Sequence, residues 1–204
     1  MTGENGRLPP SASLQPGGRR PAPGSLALVQ AFINTHFDLE VDFGADVLAS
    51  PQGLAEWLHG AGLTDAAAVA GEHDLAHALA VRESLRALAE TGNYSSAAST
   101  AARERLNAAA AGAGVEVRFG ADGPWFTSPA GAGVDGAIGV LLAIVARSLA
   151  DGSWSRLKIC PGHHCGWAFY DHSRNRSGRW CSMSVCGGRE KARAHYHRRR
   201  GGEV

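Results

Sequence analysis

All four cysteines of this chain lie in its last quarter, at Cys160, Cys165, Cys181 and Cys186. Their spacing is C-x4-C-x15-C-x4-C, two short pairs of matched length. Scattered cysteines would read as buried thiols, whereas matched pairs with none to spare read as one metal site. Tetrahedral zinc takes four thiolates, usually offered as two close pairs that the fold brings together. Such a site dictates local structure, because each pair needs a tight turn; Pro161 and Gly162 supply one between Cys160 and Cys165. Four sulfurs close the coordination sphere. The expected cofactor is therefore one structural Zn2+ per chain, with no open position for Lewis-acid catalysis. The competing readings are a site in which His163 or His164 replaces a cysteine, and disulfides or free thiols.

The compartment bears on that choice. Residues 1–24 are rich in Pro, Gly and Ser and lack the apolar run of a signal peptide. The most apolar stretch, residues 137–146, is too short to span a bilayer. A cytoplasmic chain with no membrane partner is expected, and a reducing compartment favours metal over disulfides.

The 204 residues suffice for one ordinary domain and a small module, and 44% apolar residues allow a real core. The formal net charge of +1 hides a split. From Trp154 onward the chain carries +8, and the remainder carries −7. A basic module on an acidic body points to a polyanionic partner for the module.

Residues 1–24 read as a disordered tail. Leu26, Val29, Phe32 and Ile33 recur at helical spacing. Ser50 and Pro51 open a second helix as N-cap and N1, with Leu54, Trp57 and Leu58 facing inward. Thr64 or Asp65 would cap a longer helix running to about Thr91, and residues 99–110 predict another. Residues 115–119 (VEVRF) alternate, and with Trp125 they predict a β-hairpin. Residues 131–136 read as a loop, and Val140, Leu141, Ile144, Val145 and Leu149 as the buried face of a last helix. The joint to the basic module falls at residues 151–153. Within the module, residues 167–170 read as a strand and residues 179–181 as its return strand. The stretch after Cys186 reads as a helix. The fold class is α+β and mostly helical: a body at 25–152 with a small antiparallel hairpin, a treble-clef-like zinc finger at 154–200, and a tail at 201–204.

From Trp167 to Arg193 the sequence reads W-x-F-Y-D-x-S-R-N-R-S-x-R-W-C-S-M-x-x-C-G-x-R-x-K-x-R. This resembles the CGNR zinc finger. The region before it is similar to the ABATE domain of stress-induced transcription regulators, notably at residues 26–35 and 46–63, the latter with the pattern D-x-L-x-S-P-x-x-L-x-x-W-L. The resemblance covers about residues 25–200 and implies a DNA-binding regulator whose zinc ligands map onto Cys160, Cys165, Cys181 and Cys186. One departure stands in the naming motif, where Gly188 replaces the family's asparagine.

Arg174, Arg176 and Arg179 cluster on the turn between the two cysteine pairs, beside Ser173, Asn175 and Ser177. Guanidinium groups and hydroxyls so placed suit phosphates. Arg189, Lys191 and Arg193 would ride the following helix, with Arg189 and Arg193 on one face. These six are the candidate nucleic-acid contacts; the bland alternative is solvated charge, with some pairing to Asp171 and Glu190. The run Arg198–Arg200 divides evenly between the two. Trp167, Phe169, Tyr170 and Trp180 either stack on bases or, in the reading preferred, pack the module's core.

His73 and His77 have metal-ligand spacing but lack the HExxH order of a zinc hydrolase, and an exposed polar face is the plainer reading. His36 reads as a loop histidine, although Asn34 and Asp38 beside it could line a pocket with it. Neither a phosphate-cradling loop nor GxSxG is present, so no enzyme is expected. The leading expectation is a zinc-dependent transcription regulator that binds duplex DNA, its body sensing a small-molecule effector or forming a homodimer. The alternatives are an RNA-binding or protein-interaction zinc module, and a small-molecule-binding body with a structural finger.

Overall fold

Helical apolar spacing in the first half of the chain becomes packed helices in the computed structural model, which describes residues 18–37, 46–90, 97–120, 123–127 and 133–201. Helix α1 is Leu26–Ile33, with Leu26, Val29, Phe32 and Ile33 buried as their spacing predicts. Helix α2 is Pro51–Gly60. Ser50 caps it as expected, its Oγ accepting from the Gly53 N–H at 3.1 Å, and Leu54, Trp57 and Leu58 face the core.

Helix α3 is Glu72–Glu90, so the expected cap at Thr64 or Asp65 is corrected. The side chain of Asp74, at the third helical position, reaches back to accept from the Gly71 N–H at 2.7 Å and starts the helix later. The expected end at Thr91 lies outside the described residues. Helix α4 is Ala97–Gly112. Strands β1, Glu116–Gly120, and β2, Gly123–Thr127, form the expected antiparallel hairpin.

Helix α5 is Val134–Ala150, so residues 134–136 are its first turn rather than loop. Its inward face carries Ala137, Ile138, Leu141 and Val145; Val140 and Leu149, expected inside, are 39% and 41% exposed. A 3-10 turn, Ser153–Arg156, follows and leads into β3, Leu157–Ile159, and β4, Ala168–Tyr170. A five-residue π-helical turn, Met183–Gly187, feeds helix α6, Gly188–Gly201. No described helix is long and apolar enough to cross a membrane.

One strand pairing differs from expectation. β4 pairs with β3, in the register Leu157↔Tyr170, Lys158↔Phe169 and Ile159↔Ala168, and residues 179–181 form no return strand. The cause lies on the other edge of β4. There the side-chain amide of Asn34 takes both the N–H and the C=O of Ala168, at 2.7 and 2.9 Å, and Gln30 Nε2 donates to the same carbonyl at 3.0 Å. With the outward groups of Ala168 already taken, that edge cannot continue as an uninterrupted ladder with another strand.

The basic module is welded to the body. Successive strand residues point to opposite faces. Ala168 and Tyr170 join Trp154 and Leu157 in the core built by α1, α2, α3, α4 and α5. Trp167 and Phe169 point the other way, into a second cluster with the four cysteines. Phe37, from the end of α1, enters that second cluster and meets Trp167 edge-on, ring centroids 4.4 Å apart.

Residues 18–24 fell within the expected disordered tail. The structure lays them across the module instead. Arg19 donates to the Trp180 carbonyl and its guanidinium lies 4.7 Å from the Phe169 ring centre. His172 Nε2 is 3.0 Å from the Pro21 carbonyl, and the Ala22 N–H donates to Gln30 Oε1 at 2.7 Å.

Candidate metal centre and basic surface

The knuckle between β3 and β4 presents Cys160 and Cys165, and the π-helical turn with the residue pair before it presents Cys181 and Cys186. All four are buried, and their sulfurs lie within 4.8 Å of one another. Cys165 Sγ is 3.7 Å from Cys181 Sγ, which is 3.5 Å from Cys186 Sγ. A tetrahedron with Zn–S bonds of about 2.3 Å sets its sulfurs about 3.8 Å apart, so the cluster fits one structural zinc ion.

The local backbone is built for this closeness. The Cys165 N–H donates to the Gly162 carbonyl at 3.0 Å, and the Cys160 N–H to the Trp167 carbonyl at 2.9 Å. A Cβ on Gly162 would stand 3.3 Å from Cys186 Sγ and 3.4 Å from Cys160 Sγ, so a side chain there would crowd the ion. Ser182 Oγ accepts from the Val185 N–H at 3.3 Å and starts the turn that returns Cys186.

The electrostatics point the same way. Hydrogen bonds from Cys165 and Cys181 hold the Cys160 thiol far below its ordinary range. Its sulfur in turn pushes Cys165 and Cys181 up, and burial pushes Cys186 up. A central dication would stabilise all four sulfurs as thiolates.

Neither His163 nor His164 enters the cluster. Their rings stack on each other edge-on, centroids 3.8 Å apart. His73 and His77 gather no third ligand, and among the described residues the four cysteines are the one cluster of metal-binding geometry.

The six candidate cations are all exposed. Arg174, Arg176 and Arg179 ride the turn after β4, and that turn is fastened from below. Asp171, 1% exposed, accepts from Lys158 Nζ at 2.7 Å, from the Gly178 N–H at 2.7 Å and from the Ser173 N–H at 3.0 Å. Burial alone would raise its carboxyl. The Lys158 ammonium and the hydrogen bonds from Ser173 and Gly178 outweigh burial and hold it well below the usual carboxylate range. Lys158 also donates to the carbonyls of Arg176 and Gly178, and Arg156 to those of Asp171 and Ser173. Arg156 and Lys158 are thus structural cations, and the expected pairing of Asp171 with the turn arginines is replaced by Lys158.

Arg176 has φ of 53°, a left-handed turn position, and its guanidinium reaches Ser155 Oγ at 3.4 Å. The Arg179 guanidinium lies 5.1 Å from the Trp180 ring centre. On α6, Glu190 accepts from the His163 N–H at 3.2 Å and sits 3.7 Å from Arg193, tying the first turn to the knuckle. Arg189 and Lys191 carry no such tie among the described contacts, and residues 191–196 are exposed around the helix.

Trp167, Phe169 and Tyr170 are 4%, 1% and 7% exposed, so they form core and offer no bases a stacking surface. Sequence reasoning missed Gln30 and Arg86, and it gave Asn34 and Asp171 other partners than Ala168 and Lys158. The Arg86 guanidinium donates to the carbonyls of Ile33, His36 and Gly166, binding the end of α1 to the knuckle. A hint was available for Asn34, a polar residue closing an otherwise apolar helix, but its partner lies 134 positions away.

Residues 26–152 match the family model described as "Putative stress-induced transcription regulator", ABATE. Residues 156–199 match the CGNR zinc finger. Both are regulator or zinc-finger types and neither describes an enzyme. No curated protein matches the chain.

Proposed function

Since this chain belongs to the ABATE family and ends in a CGNR zinc finger, we propose that it is a zinc-dependent, DNA-binding transcription regulator of the cytoplasm. Cys160, Cys165, Cys181 and Cys186 ligate the ion. The observation that carries the reading is the division of labour among the cations. Arg156 and Lys158 are spent inward, fixing the turn, while Arg174, Arg176 and Arg179 stand exposed upon it. A turn fastened by Asp171 presents these arginines from a fixed backbone, which lowers the entropy cost of gripping phosphates.

Helix α6 supplies the second element. It leaves the zinc turn with its cations exposed, and among the described residues no strand or helix of the body packs closely along it. A basic helix held this way has the dimensions to enter a major groove, its arginines reaching bases or phosphates. Arg189, Lys191 and Arg193 are the contacts on that helix. The zinc does no chemistry: it holds the turn and the helix start in fixed relation.

Burial of Trp167 and Tyr170 takes the β4 aromatics out of any stacking platform of the kind single-stranded RNA recognition uses, and this supports duplex DNA as the partner. The test is binding of the zinc-loaded chain to duplex DNA across a salt series. Log K should fall linearly with log salt, by roughly 0.9 for each phosphate neutralised. Absence of duplex affinity at low salt would remove the proposal, as would stronger binding of single-stranded RNA.

A further inference from the structure

β1 and β2 form a sheet of their own, apart from β3 and β4. β2 lies against α5, which among the described residues leaves β1 as the outer strand. Glu116, Val117, Arg118 and Phe119 are all exposed, Phe119 at 83% and Val117 at 48%. A two-stranded hairpin is marginal by itself in water, and an uncovered strand edge is a template for another strand.

The hairpin turn decides which groups that edge offers. Gly120 pairs with Gly123 across a two-residue connection. In such a hairpin the closing pair is hydrogen-bonded, and bonding alternates along the ladder. Arg118 and Glu116 therefore bond toward β2, and the N–H and C=O of Val117 and Phe119 turn outward.

The sequence along this edge is self-complementary. It reads Val115, Glu116, Val117, Arg118, Phe119. Two copies set antiparallel about a two-fold axis at Val117 place Val117 on Val117. They place each Glu116 opposite Arg118 of the second copy, and each Phe119 at the margin of the ladder, because Val115 already gives its N–H to the Ala110 carbonyl and packs against the body's core. Opposite charges directly across a ladder stabilise it. An axis at Arg118 would face arginine with arginine, and one at Glu116 would face glutamate with glutamate, so the charges select the register. Within one chain Arg118 Nη2 is already 2.7 Å from Glu116 Oε2, both side chains more than half exposed on one face.

We propose that β1 is a self-association edge, joining two copies of this chain through a four-stranded antiparallel sheet with its two-fold axis at Val117. The symmetry is isologous and closed, so pairing stops at the dimer. Each dimer carries two zinc modules. The proposal stands on the hairpin alone and does not depend on DNA binding.

The experiment is sedimentation velocity on the full zinc-loaded chain over a concentration series. It compares wild type with Glu116→Arg, with Arg118→Glu, and with an equimolar mixture of the two variants. Wild type should dimerise reversibly. Each variant alone places like charges opposite each other twice and should raise the dissociation constant at least about tenfold. The mixture restores opposite charges at both positions and should recover dimers. Val117→Pro removes an outward N–H and leaves the ladder to β2 intact; it should abolish dimers with an unchanged far-UV circular dichroism spectrum. A wild type that stays monomeric throughout overturns the proposal, as do single variants that dimerise like wild type or a mixture that stays monomeric.

Discussion

Asn34 and Ala168 exchange two hydrogen bonds: Asn34 Nδ2 donates to the Ala168 carbonyl at 2.9 Å, and the Ala168 N–H donates to Asn34 Oδ1 at 2.7 Å. The side-chain amide thus stands where a neighbouring strand would, and couples the end of α1 to the strand beside the zinc cluster. Asn34 is 2% exposed and Ala168 fully buried, so neither has water as a substitute.

Asn34→Ala should therefore cost about 1–3 kcal/mol, since it leaves the Ala168 N–H buried with no acceptor. Urea unfolding checks the cost. Hydrogen exchange at Ala168 should also quicken, which locates the loss at β4.

Cys181→Ser should lose the ion and disorder the turn that carries the arginines. Trp154, Leu157, Ala168 and Tyr170 belong to the body's core, so the damage should spread. The expected result is a lower midpoint for the whole chain, with no body transition left unaltered. Metal analysis should give one zinc per wild-type chain and little in the variant, and calorimetry should show the shift.

Asp171→Asn tests the anchored turn and its pH dependence. The folded carboxyl titrates below its unfolded value of about 3.9. As pH falls, the unfolded chain takes up the proton first. The stability Asp171 confers is therefore fully present above about pH 5 and drains away as pH falls through the folded value. The variant should be less stable than wild type at pH 7, with the gap narrowing in acid. Gly178→Ala should resemble it, because a Cβ there would lie 2.7–2.9 Å from the Asp171 carboxylate. Denaturant curves from pH 7 to pH 3 measure both.

Arg174→Gln, Arg176→Gln and Arg179→Gln combined should weaken duplex DNA binding and lower the salt slope by roughly 2–3. Zinc content and thermal midpoint should be unchanged, since these side chains lie on the surface. A matched loss of affinity without a change in slope would speak against phosphate contact.

Gly188→Asn restores the family's asparagine at a position where φ is −65°, within the ordinary helical range. The nearest atom to the added Cβ is the Met183 carbonyl oxygen at 3.4 Å, an ordinary contact. Replacing this glycine by asparagine should stabilise α6 by about a few tenths of a kcal/mol. Helix content by circular dichroism, with the unfolding midpoint, would register it.

The cysteine spacing was enough to read the zinc cluster, because a metal site is a local pattern of ligands and turns. The cap at Ser50, the alternation in β1 and the apolar stripes of α1 and α2 were legible for the same reason: each is an interaction between residues a few positions apart. What the chain alone did not show were the partners of Asn34, Arg86 and residues 18–24, all of which reach across the sequence to the module. It also misplaced the mate of β4, which depended on α1 having occupied one edge of that strand. Local chemistry writes itself into spacing and period. The welding of body to module, and the choice of Lys158 as the partner of Asp171, depend on which surfaces meet once the core has formed, and burial then forces each polar group to find a partner.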